Sequence, residues 1–154
     1  MRKFLMATAL VGAAATLVLP AQASSDAECQ DMWQKADVNH DGTLSDAEAQ
    51  RYLAMMRVRE HRLPTNNKID RAAFLDACKA DVFAPHKADA GAPLKGANSF
   101  TEGQARDRAL ANGFGNVSDM KKDDDGIWRG HATQNGKQVE IAVDYKGNVV
   151  STTQ

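Results

Sequence analysis

The chain has 154 residues, of which 43% are hydrophobic and 25% are charged. This composition is typical of a soluble globular protein and leaves room for one ordinary domain or two very small ones. The 19 basic and 20 acidic residues give a formal net charge of −1. Because nucleic acids are bound mainly through an excess of basic residues, this balance argues against a nucleic-acid partner.

The first 23 residues have the pattern of a bacterial signal peptide. Arg2 and Lys3 form a basic start, residues 4–19 are predominantly apolar, and Ala-Gln-Ala at 21–23 fits a cleavage site. The alternative is a retained membrane anchor, but about 16 apolar residues are fewer than the roughly 20 that span a bilayer. We therefore predict cleavage after Ala23 and a periplasmic or secreted protein that is not held at the membrane.

Export changes the interpretation of the two cysteines, Cys29 and Cys78. An oxidising compartment permits a disulfide between them, and two buried free thiols are the alternative. A cysteine-based metal site would need more ligands at closer spacing.

Three amphipathic helices are predicted in the N-terminal half of the exported chain. The first begins with a capping box at Ser25 and extends to about Ala36. The second begins near Ser45 and must end before Pro64, which cannot continue a helix. The third begins near Asp70, and its apolar face carries Phe74, Cys78 and Val82.

The segment between the first two helices has the residue types of a calcium-binding loop. Ca²⁺ prefers six to eight oxygen ligands, which a twelve-residue loop supplies from positions 1, 3, 5, 7, 9 and 12. These positions are filled by Asp37, Asn39, Asp41, Thr43, Ser45 and Glu48. Thr43 would contribute its backbone carbonyl, Ser45 a water-bridged contact and Glu48 both carboxylate oxygens. Gly42 stands at the sixth position, where the turn needs a positive φ. The alternative is a solvated acidic turn that binds nothing.

Residues 26–83 resemble the EF-hand family, because every position of the loop template is filled and both flanks are predicted to be helical. The resemblance implies a second hand, whose loop pairs with the first through a short β contact at Leu44. Aligning Ile69 with Leu44 places Arg62 at the first position of the second loop and Ala73 at the twelfth. Arg62 repels a cation and Ala73 cannot be a bidentate ligand, so the second hand is predicted to be structural only.

Two more expectations follow from this resemblance. In a pair of hands the first and last helices lie side by side, which brings Cys29 and Cys78 within reach of each other and predicts a disulfide. Lanthanide ions favour the same oxygen cage as calcium. However, the lanthanide-selective EF-hand proteins carry Pro at the second loop position and Asp at the ninth, where this chain has Val38 and Ser45. We therefore expect La³⁺ to bind more tightly than Ca²⁺ in vitro without being the physiological ion.

The C-terminal part begins after a predicted linker. Residues 84–98 contain two prolines, two glycines and several alanines, which is typical of a linker. A capping box over Ser99–Glu102 then predicts a helix that ends at Gly113. Four β-like segments follow, separated by turn sequences, at 117–121, 127–133, 139–145 and 149–152.

The third of these segments predicts a half-buried strand, because Val139, Ile141, Val143 and Tyr145 alternate with Glu140, Ala142 and Asp144. The acidic run at 123–126 invites a second metal site, but Ala132 stands where a bidentate acid is required and a strand pattern follows. A hairpin turn is the better interpretation.

Residues 99–154 resemble a PepSY domain, a small exported module with one helix against an antiparallel sheet. The resemblance depends on the helix end at 111–115, the Asp-Gly-Ile-Trp segment at 125–128 and the closing hairpin at 139–150. It implies a role in the inhibition or regulation of proteases outside the cytoplasm, and some members of the family bind metals.

We therefore predict an α+β protein with a signal peptide (1–23), an EF-hand pair (24–83), a linker (84–98) and a PepSY-like domain (99–154). The first functional prediction is an exported, non-enzymatic protein that binds one Ca²⁺ and uses the PepSY-like part as an interaction module. The alternatives are a regulator of an extracytoplasmic peptidase with a merely structural calcium ion, and a lanthanide-binding protein. The sequence shows no nucleophile paired with a base in a supporting context, so we predict no catalytic site. The predicted partners are the calcium ion and an exported protein or peptidase.

Overall fold

A computed structural model describes residues 24–152. The predicted signal peptide lies outside these residues. The described part combines helices with antiparallel sheets, which confirms the α+β prediction. None of its helices is long and apolar enough to cross a membrane.

The N-terminal half contains three helices and one small sheet. Its elements are α1 (Asp26–Ala36), β1 (Thr43–Leu44), α2 (Asp46–Val58), β2 (Ile69–Asp70) and α3 (Arg71–Lys79). The predicted capping box starts α1, since the Ser25 hydroxyl accepts from the Glu28 amide and the Glu28 carboxylate accepts from the Ser25 amide. α2 ends at Val58, before Pro64 as predicted. α3 is shorter than predicted, because Val82 lies beyond its end.

Aromatic side chains form the core of this half. Phe74 is fully buried, and its ring centroid lies 5.2 Å from that of Trp33 and 4.9 Å from that of Tyr52. Cys29 of α1 and Cys78 of α3 form a disulfide with a Cα–Cα distance of 5.8 Å. The first and last helices therefore lie side by side, as a pair of hands requires.

The C-terminal half packs one helix on a four-stranded sheet. The elements are α4 (Glu102–Ala111), β3 (Lys121–Lys122), β4 (Trp128–Gln134), β5 (Lys137–Val143) and β6 (Val149–Thr152), and the strand order is β3-β4-β5-β6. All pairs are antiparallel, which confirms the predicted meander, but the first strand is Lys121–Lys122 and not the predicted 117–121. Two buried alanines of α4, Ala105 and Ala109, join the same core as Val139, Ile141 and Val143 of β5. Small side chains on the helix allow it to approach the sheet closely.

The start of α4 differs from the prediction. Its N-cap is Thr101, which shares a capping box with Gln104, whereas the sequence suggested a box over Ser99–Glu102. The side chain of Asn98 accepts from the Phe100 amide, and the Glu102 carboxylate accepts from the Met120 amide. Because the Glu102 carboxylate is engaged by the Met120 amide, the capping box forms two residues later.

Residues 84–98 contain no helix or strand and lie against the C-terminal sheet. The Leu94 amide donates to Asp144, and the Asp89 amide donates to the side chain of Asn148. The predicted alternation therefore fails at the end of β5. Ala142 and Asp144 are 6% and 0% exposed, whereas Tyr145 is 38% exposed.

The two halves are in contact through α2 and α4. An ion pair of 2.9 Å joins Arg57 of α2 to Asp107 of α4. Ala111 at the end of α4 packs against the core of the N-terminal half. α2 therefore belongs to the predicted metal-binding unit and also forms the junction with the sheet domain.

Candidate functional site

The predicted metal-binding loop joins α1 to α2. α1 ends at Ala36 and α2 begins at Asp46, so the loop is flanked by helices as the EF-hand template requires. Gly42 has φ +82°, a left-handed conformation that is accessible to glycine at little cost. The chain reverses here and continues into β1.

Side-chain oxygens of the loop accept hydrogen bonds from its own backbone. Asp37 Oδ2 accepts from the Gly42 amide at 3.1 Å. Asn39 Oδ1 accepts from the Asp41 amide at 2.9 Å, and Asp41 Oδ1 accepts from the Thr43 amide at 2.8 Å. Three of the predicted ligand side chains are therefore engaged by amides of the loop itself.

Glu48 reaches back from the first turn of α2 across the loop. Its Oε1 atom accepts from the backbone amides of Val38 at 3.0 Å and of Asn39 at 3.2 Å. This contact was not predicted from the sequence, because no side-chain pattern reveals which backbone amides face a distant carboxylate. It holds the start of α2 over the loop.

Two carboxylate oxygens of the loop are buried without a hydrogen-bond partner. In the described part of the chain three buried side-chain polar atoms lack a partner, and two of them are Asp37 Oδ1 and Glu48 Oε2. Asp37 is only 5% exposed. A buried carboxylate oxygen without a donor is costly, and hard oxygens are the atoms that Ca²⁺ prefers. The oxygens that the loop offers, including these two, are thus of the type that a divalent cation binds.

The six predicted ligand residues share the loop, but their carboxylates do not converge. Between residues 24 and 152, no three side chains of His, Cys, Asp or Glu are grouped so that they could hold a metal ion. Glu48 bonds to backbone amides instead. Thr43 lies in β1, and Ser45 is the N-cap of α2 but forms no side-chain cap hydrogen bond.

The second loop pairs with the first in the predicted register. Leu44 of β1 stands opposite Ile69 of β2, and both side chains are fully buried. Asn67, aligned with Gly42, also has a positive φ of 55°. The backbone of the second loop thus repeats the turn of the first, although Arg62 and Ala73 replace its carboxylates.

The acidic run at 123–126 is a hairpin turn, as predicted. Lys122 of β3 stands opposite Trp128 of β4, and the turn closes between them. Asp123 Oδ1 accepts from the amides of Ile127 and Asp125, and its Oδ2 pairs with Arg129 at 2.6 Å. The hydrogen bond from the Ile127 amide is the main cause that lowers the pKa of Asp123.

A buried carboxylate organises the turn between β5 and β6. Asp144 Oδ1 accepts from the amides of Lys146 and Asn148, while Oδ2 accepts from the Leu94 amide and the Asn148 side chain. Burial alone would raise the pKa of Asp144, but the hydrogen bonds from Asn148, Leu94 and Lys146 outweigh it and lower the pKa. Asp144 therefore ties the segment 84–98 to the sheet as an ionised group.

Comparison with known proteins gives one family. Residues 71–153, which are more than half of the chain, match the family described as "Peptidase propeptide and YPEB domain" (PepSY_2). The match begins at α3 and includes the segment 84–98, so it starts earlier than the resemblance seen in the sequence. No curated protein and no solved structure matches the chain.

Proposed function

We propose that this chain, which belongs to the PepSY_2 family of peptidase propeptide and YPEB domains, is an exported protein that binds one calcium ion in the loop 37–48. The observation that supports the proposal best is the pair of buried oxygens without a donor, Asp37 Oδ1 and Glu48 Oε2. They belong to the first and last ligand positions of the loop, between which a calcium ion would lie.

The ligand set would consist of side-chain, backbone and water oxygens. Asp37, Asn39 and Asp41 would supply side-chain oxygens, Thr43 its backbone carbonyl, Ser45 a water-bridged contact and Glu48 both carboxylate oxygens. Three carboxylates offer a charge of −3, which largely neutralises a divalent or trivalent ion. Glu48 Oε1 accepts from the amides of Val38 and Asn39 and would have to leave them to bind the ion. Breaking these two bonds costs part of the binding free energy.

The site should therefore be weak. A loop with three carboxylates, a serine at the ninth position and a partner loop without ligands resembles extracellular modules more than cytosolic buffers. We expect a dissociation constant of roughly 10⁻⁵ to 10⁻³ M for Ca²⁺. Mg²⁺ should bind more weakly, since it resists dehydration and requires a near-ideal octahedral geometry.

Calorimetric titration of the purified protein with Ca²⁺, Mg²⁺ and La³⁺ tests this proposal directly. A saturable site for one Ca²⁺ per chain that is stronger than the Mg²⁺ site supports it. Absence of heat and of any spectral change at 10 mM Ca²⁺ would refute it. Because trivalent ions gain more from three carboxylates, La³⁺ is expected to bind more tightly than Ca²⁺ in vitro. We nevertheless propose Ca²⁺ as the physiological ion, and strong induction of the gene by lanthanides alone would contradict that choice.

Export is proposed from the pattern of residues 1–23. The Cys29–Cys78 disulfide is compatible with an oxidising compartment, and PepSY domains occur in extracytoplasmic proteins. Cell fractionation followed by sequencing of the mature N-terminus tests the proposal, with Ser24 as the expected first residue.

A second candidate function is the regulation of an extracytoplasmic peptidase. The family match supports it, because PepSY domains are propeptide-like modules that commonly interact with peptidases and are generally non-catalytic. In this function calcium would serve only to stabilise α2, which packs on α4. Capture of partners from a periplasmic extract, with and without chelator, separates the two functions. A peptidase bound equally under both conditions favours a structural ion, whereas binding that requires calcium favours a sensor.

A further inference from the structure

A small cavity lies at the junction of the two halves, at the opposite end of α2 from the metal-binding loop. It has a volume of about 120 Å³ and is bordered by the end of α2, by α4, by the segment 84–98 and by the turn between β5 and β6. Its apolar wall includes Met55 and Val58 of α2, Val82 and Ala111. Small-molecule sites are commonly found at such junctions between packed units.

All ionisable side chains that line this cavity are of basic residue types. Arg59, His86, Arg108 and Lys146 come from four separate segments, and no acidic residue lines the cavity. Lys146 is paired with Asp89 at 3.3 Å, in an exposed position.

Arg108 is held in place but has no carboxylate partner. Its guanidinium carbon lies 3.7 Å from the centroid of the Phe100 ring, and Nη1 donates to the Gln104 carbonyl at 3.3 Å. Within residues 24–152 it forms no ion pair, and the neighbouring Asp107 is bonded to Arg57. Partial burial lowers the pKa of Arg108, and Asp107 opposes this effect. A half-buried cation without a counter-ion is poised to bind an anion.

Arg59 is the second guanidinium at this cavity. It is the C-cap of α2, and its Nη2 donates to the Ala84 carbonyl at 3.3 Å. It forms no ion pair in the described part of the chain. Two arginines and an apolar wall line the same cavity, which matches a ligand with a carboxylate at one end and a short hydrocarbon at the other. Phosphate fits less well, because it has no apolar part to place against Met55 and Val58.

We propose that this cavity binds an alkyl carboxylate, with the carboxylate at Arg59 and Arg108 and the alkyl group against the apolar wall. The cavity has the volume of about four water molecules at roughly 30 Å³ each. The part of the ligand that enters it must therefore be small. Two sources have this chemistry, namely a peptide whose C-terminal residue is small and apolar, and a free short-chain acid. The proposal involves no residue of the loop 37–48 and does not depend on calcium.

The test compares ligands that differ only in the proposed group. Acetyl-Gly-Gly-Val with a free carboxylate, the same peptide as its amide, isobutyrate and inorganic phosphate are titrated into the ¹⁵N-labelled protein by NMR at low salt. Binding of the free-acid peptide should be saturable and should shift resonances at the ends of α2 and α4. The peptide amide should bind at least ten-fold more weakly. Isobutyrate that binds as tightly as the peptide would assign the cavity to free acids, and tighter peptide binding would assign it to chain ends.

Variants identify the cavity as the site. Arg108→Gln and Arg59→Gln should each lower the affinity for the free-acid peptide by ten-fold or more. Lys121→Gln removes the same charge from the exposed strand β3 and should not change this affinity. If Arg108→Gln does not fold, the Arg59→Gln variant alone decides the test, because Arg59 is exposed. Equal binding of acid and amide, no binding at 10 mM, tighter binding of phosphate, or equal losses in Arg59→Gln and Lys121→Gln would each overturn the proposal.

Discussion

Replacing Glu48 by Gln should remove the response of the protein to calcium and leave the metal-free protein nearly unchanged. Glu48 Oε1 accepts from the amides of Val38 and Asn39, and the amide oxygen of Gln can accept the same two bonds. The second oxygen, Oε2, has no partner to lose. We therefore expect the free energy of unfolding without metal to change by less than about 1 kcal/mol.

With calcium the difference should be large. An ion that binds only the folded state stabilises it by RT ln(1 + [Ca²⁺]/Kd), which is about 1.4 kcal/mol at 1 mM Ca²⁺ and a Kd near 10⁻⁴ M. For a chain of this size that corresponds to a rise in Tm of about 5 °C. Gln is neutral and cannot bind the ion through two carboxylate oxygens, so the variant should lose most of this shift.

The assay is thermal unfolding followed by circular dichroism, with chelator and with 1 mM Ca²⁺. Glu60→Gln is the matched control, because Glu60 lies just beyond the other end of α2 and is exposed. The control should keep the full calcium shift. If wild type and Glu48→Gln show the same shift, the loop is not the calcium site and the reasoning from the orphaned oxygens is wrong.

Four more predictions follow. Replacing both Cys29 and Cys78 by Ser should lower stability in urea by about 2–4 kcal/mol with or without calcium, since the disulfide closes a long loop, and an unchanged midpoint would contradict this. In calorimetry La³⁺ should bind more tightly than Ca²⁺, and equal affinities would show that charge does not dominate the site. The pKa of Asp144 is lower in the folded state, so its contribution to stability is present above about pH 4 and is lost as the pH falls through the folded pKa. Asp144→Asn should therefore be less stable at pH 7 and should flatten the acid limb of the stability curve. Gly126→Ala should destabilise by about 1–3 kcal/mol, because a Cβ at its positive φ would overlap the Gly96 carbonyl, whereas Gly136→Ala meets open space and should cost only the φ strain.

Much of the helical half was determined by local sequence patterns. The capping box at Ser25, the loop template from Asp37 to Glu48 and the spacing of apolar residues are short-range signals, and each acts within about two turns of helix. They predicted the helix–loop–helix unit, and the resemblance to a pair of EF-hands implied the register of Leu44 with Ile69. The pairing of Cys29 with Cys78 followed from the same arrangement.

Contacts between segments that are distant in the chain were decided only by the tertiary structure. The alternation along β5 predicts that Ala142 and Asp144 face solvent, but both are buried because the segment 84–98 lies over that face of the sheet. Local patterns also place the cap of α4 two residues too early, since they do not include the bond between Glu102 and the Met120 amide.

The candidate sites divide in the same way. The identity and order of the six loop ligands can be read from the sequence, because a calcium loop takes its ligands from one short segment. The bond from Glu48 to the Val38 amide, and the burial that leaves Asp37 Oδ1 without a donor, depend on how α2 packs. The cavity with Arg59 and Arg108 combines four segments. Spacing along the chain carries no signal for such a site, because only the packing of α2 on α4 brings the two arginines to the same cavity.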